Sequence, residues 1–426
     1  MTAYRLAVTL ALLALGCCCT PAQTTQPAEG TWTPLLHGDT LDGWTQRGGG
    51  ATYRVDDGEI IGQTVPNTPN TFLCTDQLYG DFILELEFKV DPRLNSGVQI
   101  RSNSVPGYRH GVVHGYQVEI DPSDRAWSAG IYDESRRGWL CDLEKNEAAR
   151  QAFRQNEWNA LRIVARGPRM QTWLNGVPAA DLTDDLTRTG FIALQVHGTT
   201  STEPLEVRWR KLRIQDLGIP DRTPPAGAIV LLDAGGDLSA WQHPDRPGQT
   251  IGWKFHDGAL EIEPGTGSII TRRPFGDCRL HVEFCTDDNG QTGQANGNSG
   301  VYLQSRYEVQ VLNSAGQEPA LDNCGAIYGV KAPDMNMALP AGQWQTYDIT
   351  FRAPRCQPNG EKRSPARLTV YQNGTRIHDN VEIPQNTGTG QPEAPGDAPL
   401  LLQDHGNRIR YRNIWIAPLP AAAEDQ

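Results

Sequence analysis

Two short segments of the 426-residue chain each set a carboxylate beside an amide at a spacing of two. Gln117 and Glu119 lie in GYQVEIDPS (115–123), and Glu308 and Gln310 lie in RYEVQVLNS (306–314). Residues two apart on a strand share a face, so each segment presents one carboxylate next to one neutral donor. Such a carboxylate can serve as a general base whose basicity is set by burial, or it can accept a hydrogen bond from a hydroxyl. Glu119 and Glu308 are therefore the candidate catalytic groups. The same alternation gathers Gln99, Arg101, Asp121, Gln195 and His197 around the first segment. Around the second it gathers Tyr302, Gln304, Gln403 and His405. A plain wet face favours Lys, Glu and Thr. An amide-rich and aromatic face suits sugar hydroxyls, which want hydrogen bonds and an apolar ring platform. A merely solvated sheet face is the competing reading.

The segments that follow differ. YDESRRGW (132–139) carries Tyr132, Asp133, Glu134, Arg136 and Arg137, whereas YGVKAPDMN (328–336) carries Tyr328, Lys331 and Asp334. Loops at the rim of a rigid scaffold commonly bear function, so the charged first rim marks that half as the better candidate for activity. His197 and His405, each followed by Gly, read as strand-end residues that bridge backbone groups. His110 and His114 in RHGVVHGYQVE read as a wet loop, with a metal ligand or an acid/base role as the alternative. Asp121 and Asp124 near Glu119 leave a calcium site open, although no EF-hand spacing supports one. A divalent metal has no clear motif here. Neither GxSxG, HExxH nor a P-loop occurs.

The elements that must position these groups are duplicated. DDGEI (56–60) answers HDGAL (256–260), and YGDFILELEFKV (79–90) answers FGDCRLHVEFCT (275–286). NSGVQIRS (95–102) answers NSGVYLQS (298–305), AGIYDE (129–134) answers GAIYGV (325–330), and VRWRKLRI (207–214) answers IRYRNIWI (409–416). Matched segments in one order mean an internal repeat. Short period-2 runs between Gly, Asn and Asp turns predict antiparallel sandwiches or jelly rolls. The copies span 31–217 and 228–418, joined by the Pro/Gly-rich linker 218–227. LEKNEAARQAF (143–153) predicts a helical surface excursion, and 354–366 and 385–398 read as loop insertions.

A net charge of −12 without a basic run excludes nucleic acid as a partner. The first 22 residues have a signal-peptide pattern, with Arg5 before a short apolar stretch ending in LALGC. Cys17 is the candidate lipidated residue, so the expectation is an exported envelope protein touching a membrane only through that anchor. Six further cysteines, Cys74, Cys141, Cys278, Cys285, Cys324 and Cys356, show no CxxC or zinc spacing. Cys278 and Cys285 are seven apart in one run and face opposite ways.

NSGVYLQSRYEVQVLNS, GAIYGVKAP, WQTYDITFRAP and LLLQDHGNRIRYRNIWI in copy two resemble the 3-keto-disaccharide hydrolase family. So do NSGVQIRS, GYQVEID, AGIYDESRRGWL and LQVHG in copy one. The resemblance implies a concanavalin A-like jelly roll in each copy and substrates oxidised at carbon 3 of a glucoside. A ketone there makes the carbon-2 proton acidic. A base removes that proton, the group on carbon 1 departs, and water addition completes net hydrolysis; without water the reaction is a lyase's. It implies Glu119 as base or acceptor, with Gln99, Arg101, Gln117, Tyr132 and Arg136 as substrate contacts. In copy two it implies Glu308, with Tyr302, Gln310, Tyr328 and Lys331. Asn313 and Ala315 depart from the Asp and Tyr usual after QVL, which counts against copy two. A non-catalytic sugar-binding protein and an envelope scaffold are the alternatives.

Overall fold

The computed structural model describes residues 30–357 and 359–420. The signal-like segment and Cys17 lie outside the described residues. Each copy is a pair of antiparallel sheets, a jelly-roll sandwich. In copy one the eight-stranded sheet runs Val177–Thr183, Arg169–Leu174, Asn159–Arg166, Asp81–Val90, Glu206–Gly218, Glu59–Gln63, Thr52–Asp56, with Thr33–Pro34 also on Glu206–Gly218. The facing seven-stranded sheet runs Gly138–Cys141, Ile131–Glu134, His114–Ile120, Ser96–Asn103, Phe191–Val196, Thr71–Thr75, Trp44–Gly48.

Copy two repeats the larger sheet in the same order: Thr375–Ile383, Ala366–Gln372, Trp344–Arg352, Cys278–Cys285, Arg410–Pro418, Ala259–Glu261, Lys254–His256. Its second sheet has five strands, Tyr307–Val311, Ser299–Leu303, Leu401–Leu402, Ile269–Thr271 and Trp241–Gln242. The two outer strands that follow the Glu119 strand in copy one are reduced, among the described residues of copy two, to single bridges of Ile327 with Val309 and with Lys331.

Strand alternation assigns the cores. Val98, Ile100, Val118, Ile120, Ile192, Leu194 and Val196 face Phe82, Leu84, Phe88 and Trp209 across the first sandwich. Each such side chain contributes about 1.5–3 kcal/mol by leaving water. A Trp indole ties the start of each copy to its own backbone, through Trp44 Nε1 to Leu35 O at 3.0 Å and Trp241 Nε1 to Leu231 O at 2.8 Å. The helix is Glu147–Ala152, capped by Asn146, whose side chain accepts from Ala149 N. Insertion 354–366 forms a small hairpin, Arg355–Cys356 with Lys362–Ser364, rather than a plain loop. Five of the six described cysteines are buried.

Three of the rim charges pair with one another inside copy one. Asp133 is fully buried and receives Arg136 Nε at 2.8 Å and Arg137 Nε at 2.5 Å. Arg136 continues to Thr187 Oγ1 at 2.6 Å. Two residues before Thr187, Asp185 takes Arg376 Nη1 at 2.6 Å and the Tyr371 hydroxyl at 2.8 Å, both from copy two. Arg136 is thus structural and not the substrate contact expected of it.

Candidate functional site

The seven-stranded sheet of copy one curls into a cup on its outer face. Register sets Gln99 opposite Gln117 and Gln117 opposite Tyr132, and it sets Glu119 opposite Gly97, which is opposite Gln195. Gly97 leaves the room for this packing, because a Cβ there would lie 2.5 Å from Gln117 Cδ. The curvature is strong enough that Asn70, just before the strand four places along the sheet, donates to Glu134 Oε1 at 3.3 Å. Phe72, Cys74, Val113, Phe191 and Ala193 make the apolar floor.

Hydrogen bonds link the polar residues into a chain. Ser102 Oγ donates to Gln99 Oε1 at 2.7 Å, Gln99 Nε2 to Gln117 Oε1 at 2.7 Å, and Gln117 Nε2 to Glu119 Oε2 at 2.8 Å. Asn95 Nδ2 donates to Glu119 Oε1 at 2.7 Å. Burial pushes the Glu119 carboxyl above the ordinary carboxylate range, against the opposing hydrogen bonds from Asn95 and Gln117. Burial also raises Glu134, opposed by Asn70, with the Glu119 charge adding to the rise. The His197 ring shares that electrostatic neighbourhood. Its Nδ1 lies 2.8 Å from Gly198 O, a carbonyl that only accepts, so Nδ1 is the donor there. Gln195 is fully buried and neither end of its amide has a partner.

Of the expected residues, Glu119, Gln117, Gln99 and Tyr132 meet in this cup, and Arg101 does not. Arg101 adopts φ 46°, and its side chain turns to Gly80 O at 2.7 Å, Gly167 O at 2.7 Å and Asp81 Oδ1 at 2.9 Å. The matching Gln304 has φ 54° and binds Phe275 O at 3.1 Å. This duplicated bulge breaks the period-2 rule that had put both residues on the polar face. His114 is buried rather than wet. It packs on Tyr108 at 4.2 Å between ring centroids, and burial drives its imidazole down to about 4. Asp121 is saturated by Ser123, Arg125 and the Trp127 amide. Among the described residues no three His, Cys, Asp or Glu side chains converge as a metal site. Glu134, Asn70, Asn95, Trp127 and Trp139 also belong to the site. Of these only Glu134 had a sequence signal, its parity with Tyr132.

Copy two builds the same amide–carboxylate pair in reverse order and then covers it. With its amide turned to satisfy both ends, Gln310 donates to Glu308 Oε1 at 2.9 Å. Gly388 lies over the carboxylate, since a Cβ on it would be 2.6 Å from Glu308 Oε2 and 3.4 Å from Tyr328 Cδ1. The insertion is held along the strand by Thr387 Oγ1, which accepts from Glu308 N at 2.7 Å, and by Thr387 N donating to Arg306 O at 2.9 Å. Tyr302 receives Gln403 Nε2 at 3.2 Å. Lys331 pairs with Asp334 instead of reaching Glu308. Burial without a cation raises Glu308 to about 7.

The family model of the 3-keto-alpha-glucoside-1,2-lyase-like domain matches residues 31–215 and again 227–417. The chain belongs to that family, twice over. Membership supports a carbohydrate-acting, hydrolase-type function. Among solved structures, a candidate glycosyl hydrolase from Parabacteroides distasonis is 36% identical over 46% of this chain and 85% of its own, with a TM-score of 0.43. The carbohydrate-binding module CBM66 from Bacillus subtilis is 14% identical over 43% of this chain and 100% of its own, with a TM-score of 0.32. No curated protein matches the chain.

Proposed function

We propose that copy one cleaves 3-keto-glucosides, with Glu119 removing the carbon-2 proton. The observation that carries this reading is the buried Glu119 carboxylate, held by the two neutral amides of Asn95 and Gln117. A base raised by burial, with the Arg125 guanidinium no nearer than 3.9 Å, is matched to a carbon acid beside a ketone. As the C2–H bond breaks, its electrons pass to the carbon-3 oxygen, where a hydrogen-bond donor stabilises the enolate. The enolate then expels the oxygen on carbon 1. Glu134, raised by burial and with one oxygen bound by Asn70, supplies the proton to that leaving oxygen. Gln99 and Gln117 fix the base rather than touch the substrate. Water addition to the unsaturated product gives net hydrolysis.

Copy two, with Glu308 covered by its own insertion, serves as the structural partner. The test is incubation with a 3-keto-glucoside and with its parent glucoside. Turnover of the ketone alone, lost in Glu119→Gln and kept in Glu308→Gln, is the expected result. Absence of turnover with intact sugar binding would favour the lectin-like alternative, to which the amide-rich cup is also suited.

A further inference from the structure

We infer that copy one carries a leaving-group subsite, an aromatic wall of Trp127, Trp139 and Tyr132 that receives a flat ring attached at carbon 1. The inference rests on the proposed reaction at Glu119 and adds the substrate class. Trp139 is directly opposite Tyr132 in register, and Tyr132 is opposite Gln117, so the three share one face and one row. The Tyr132 and Trp139 rings meet at 5.3 Å and 70°, and Trp127 meets Trp139 at 4.8 Å and 85°. All three are half-exposed, whereas the polar chain behind them is buried. Two backbone features hold the wall. A Cβ on Gly130 would lie 3.1 Å from Trp139 Cζ3, so the indole rests against bare backbone there. Gly130 N also donates to Trp127 O at 3.0 Å, closing the turn that presents Trp127.

Arg125 joins the wall to the base. Its guanidinium lies 4.8 Å from the Trp127 ring and 5.0 Å from the Trp139 ring. The same group binds Asp121 at 2.7 Å and approaches Glu119 Oε1 to 3.9 Å. A ring stacked on this wall is therefore one side chain away from the carboxylate that takes the carbon-2 proton. Carbon 1 is the neighbouring atom of the sugar, which gives the wall its assignment to the leaving group. Copy two lacks the device. Its equivalent turn, Ala326 N to Asn323 O at 3.0 Å, carries Asn where copy one has Trp127, and among the described residues no strand matches the one bearing Trp139.

The shared ligand chemistry is a planar or chair-shaped ring with an apolar face, which a second hexose or an aryl group supplies. The test compares a 3-keto-disaccharide, an aryl 3-keto-glucoside and methyl 3-keto-glucoside on wild type, Trp139→Ala, Trp139→Phe and Trp127→Ala. The readout is the ratio of kcat/KM between each ring-bearing substrate and the methyl one, which cancels any loss of folded enzyme. The Ala variants are expected to lower that ratio about three- to tenfold, the size of one aromatic contact, and Trp139→Phe to recover part of it. The substrate with the larger drop identifies hexose or aryl as the preferred source. An unchanged ratio for both ring substrates would overturn the inference. If wild type turns over none of the three, the reaction fails, and titration of tryptophan fluorescence with an aryl glucoside decides the wall alone. Weaker binding in Trp139→Ala sustains the wall, and equal binding refutes it.

Discussion

Glu308 offers a stability measurement whose sign and size follow from its surroundings. It is 2% exposed, has no cation beside it, and burial raises it from the ordinary 4.5 to about 7. Between those values the folded chain holds a proton that the unfolded chain has released, so stability falls as pH rises across the window and levels off above it. At about 1.4 kcal/mol per pH unit, a window from 4.5 to about 7 amounts to about 3 kcal/mol. Glu308→Gln keeps the shape and removes the titration. Denaturant unfolding of both proteins from pH 4.5 to 8 should therefore show the difference in unfolding free energy drifting by up to about 3 kcal/mol in favour of the variant. All other titrating groups cancel in that difference. Parallel pH curves would refute the claim that the insertion buries an unpaired carboxylate.

Other expectations follow from neighbouring features. Arg101→Ala leaves Gly80 O and Gly167 O without their donor and should cost about 3 kcal/mol in denaturant unfolding; a loss under about 0.5 kcal/mol, that of an ordinary surface change, would return Arg101 to the substrate face. His114, neutral and buried with its imidazole lowered to about 4, contributes stability above its ordinary 6.5 that is lost as pH falls toward 4. That acid-side loss should shrink in His114→Asn, and an unaltered acid profile contradicts the burial. Cys17→Ser should abolish incorporation of labelled fatty acid in a bacterial host, and retained label would refute lipidation there.

The duplication, the sandwich class and the two cores were legible in the sequence because alternation at period 2 and repeated turn residues are local properties. Gln117 and Glu119 were legible for the same reason, sharing one strand and one face. Arg101 and Gln304 misled because one residue at positive φ reverses a side chain without any change in residue type. Asn70 was out of reach, since only the curl of the whole sheet brings it within 3.3 Å of Glu134. The covering of Glu308 by Gly388 depends on where an insertion packs, which no periodicity records. The charged run YDESRR looked like a binding rim. Asp133, Arg136 and Arg137 are instead spent on pairing with one another and with Asp184 inside copy one.

The central claim is removal of the carbon-2 proton by Glu119, and solvent exchange measures it directly. A 3-keto-glucoside is incubated with the protein in deuterium oxide and followed by proton NMR. Wild type should cleave the carbon-1 bond with loss of the carbon-2 proton signal to solvent deuterium. Glu119→Gln should slow both events together by about a hundredfold or more. Cleavage that retains the carbon-2 proton, or unchanged exchange in Glu119→Gln, would contradict the account.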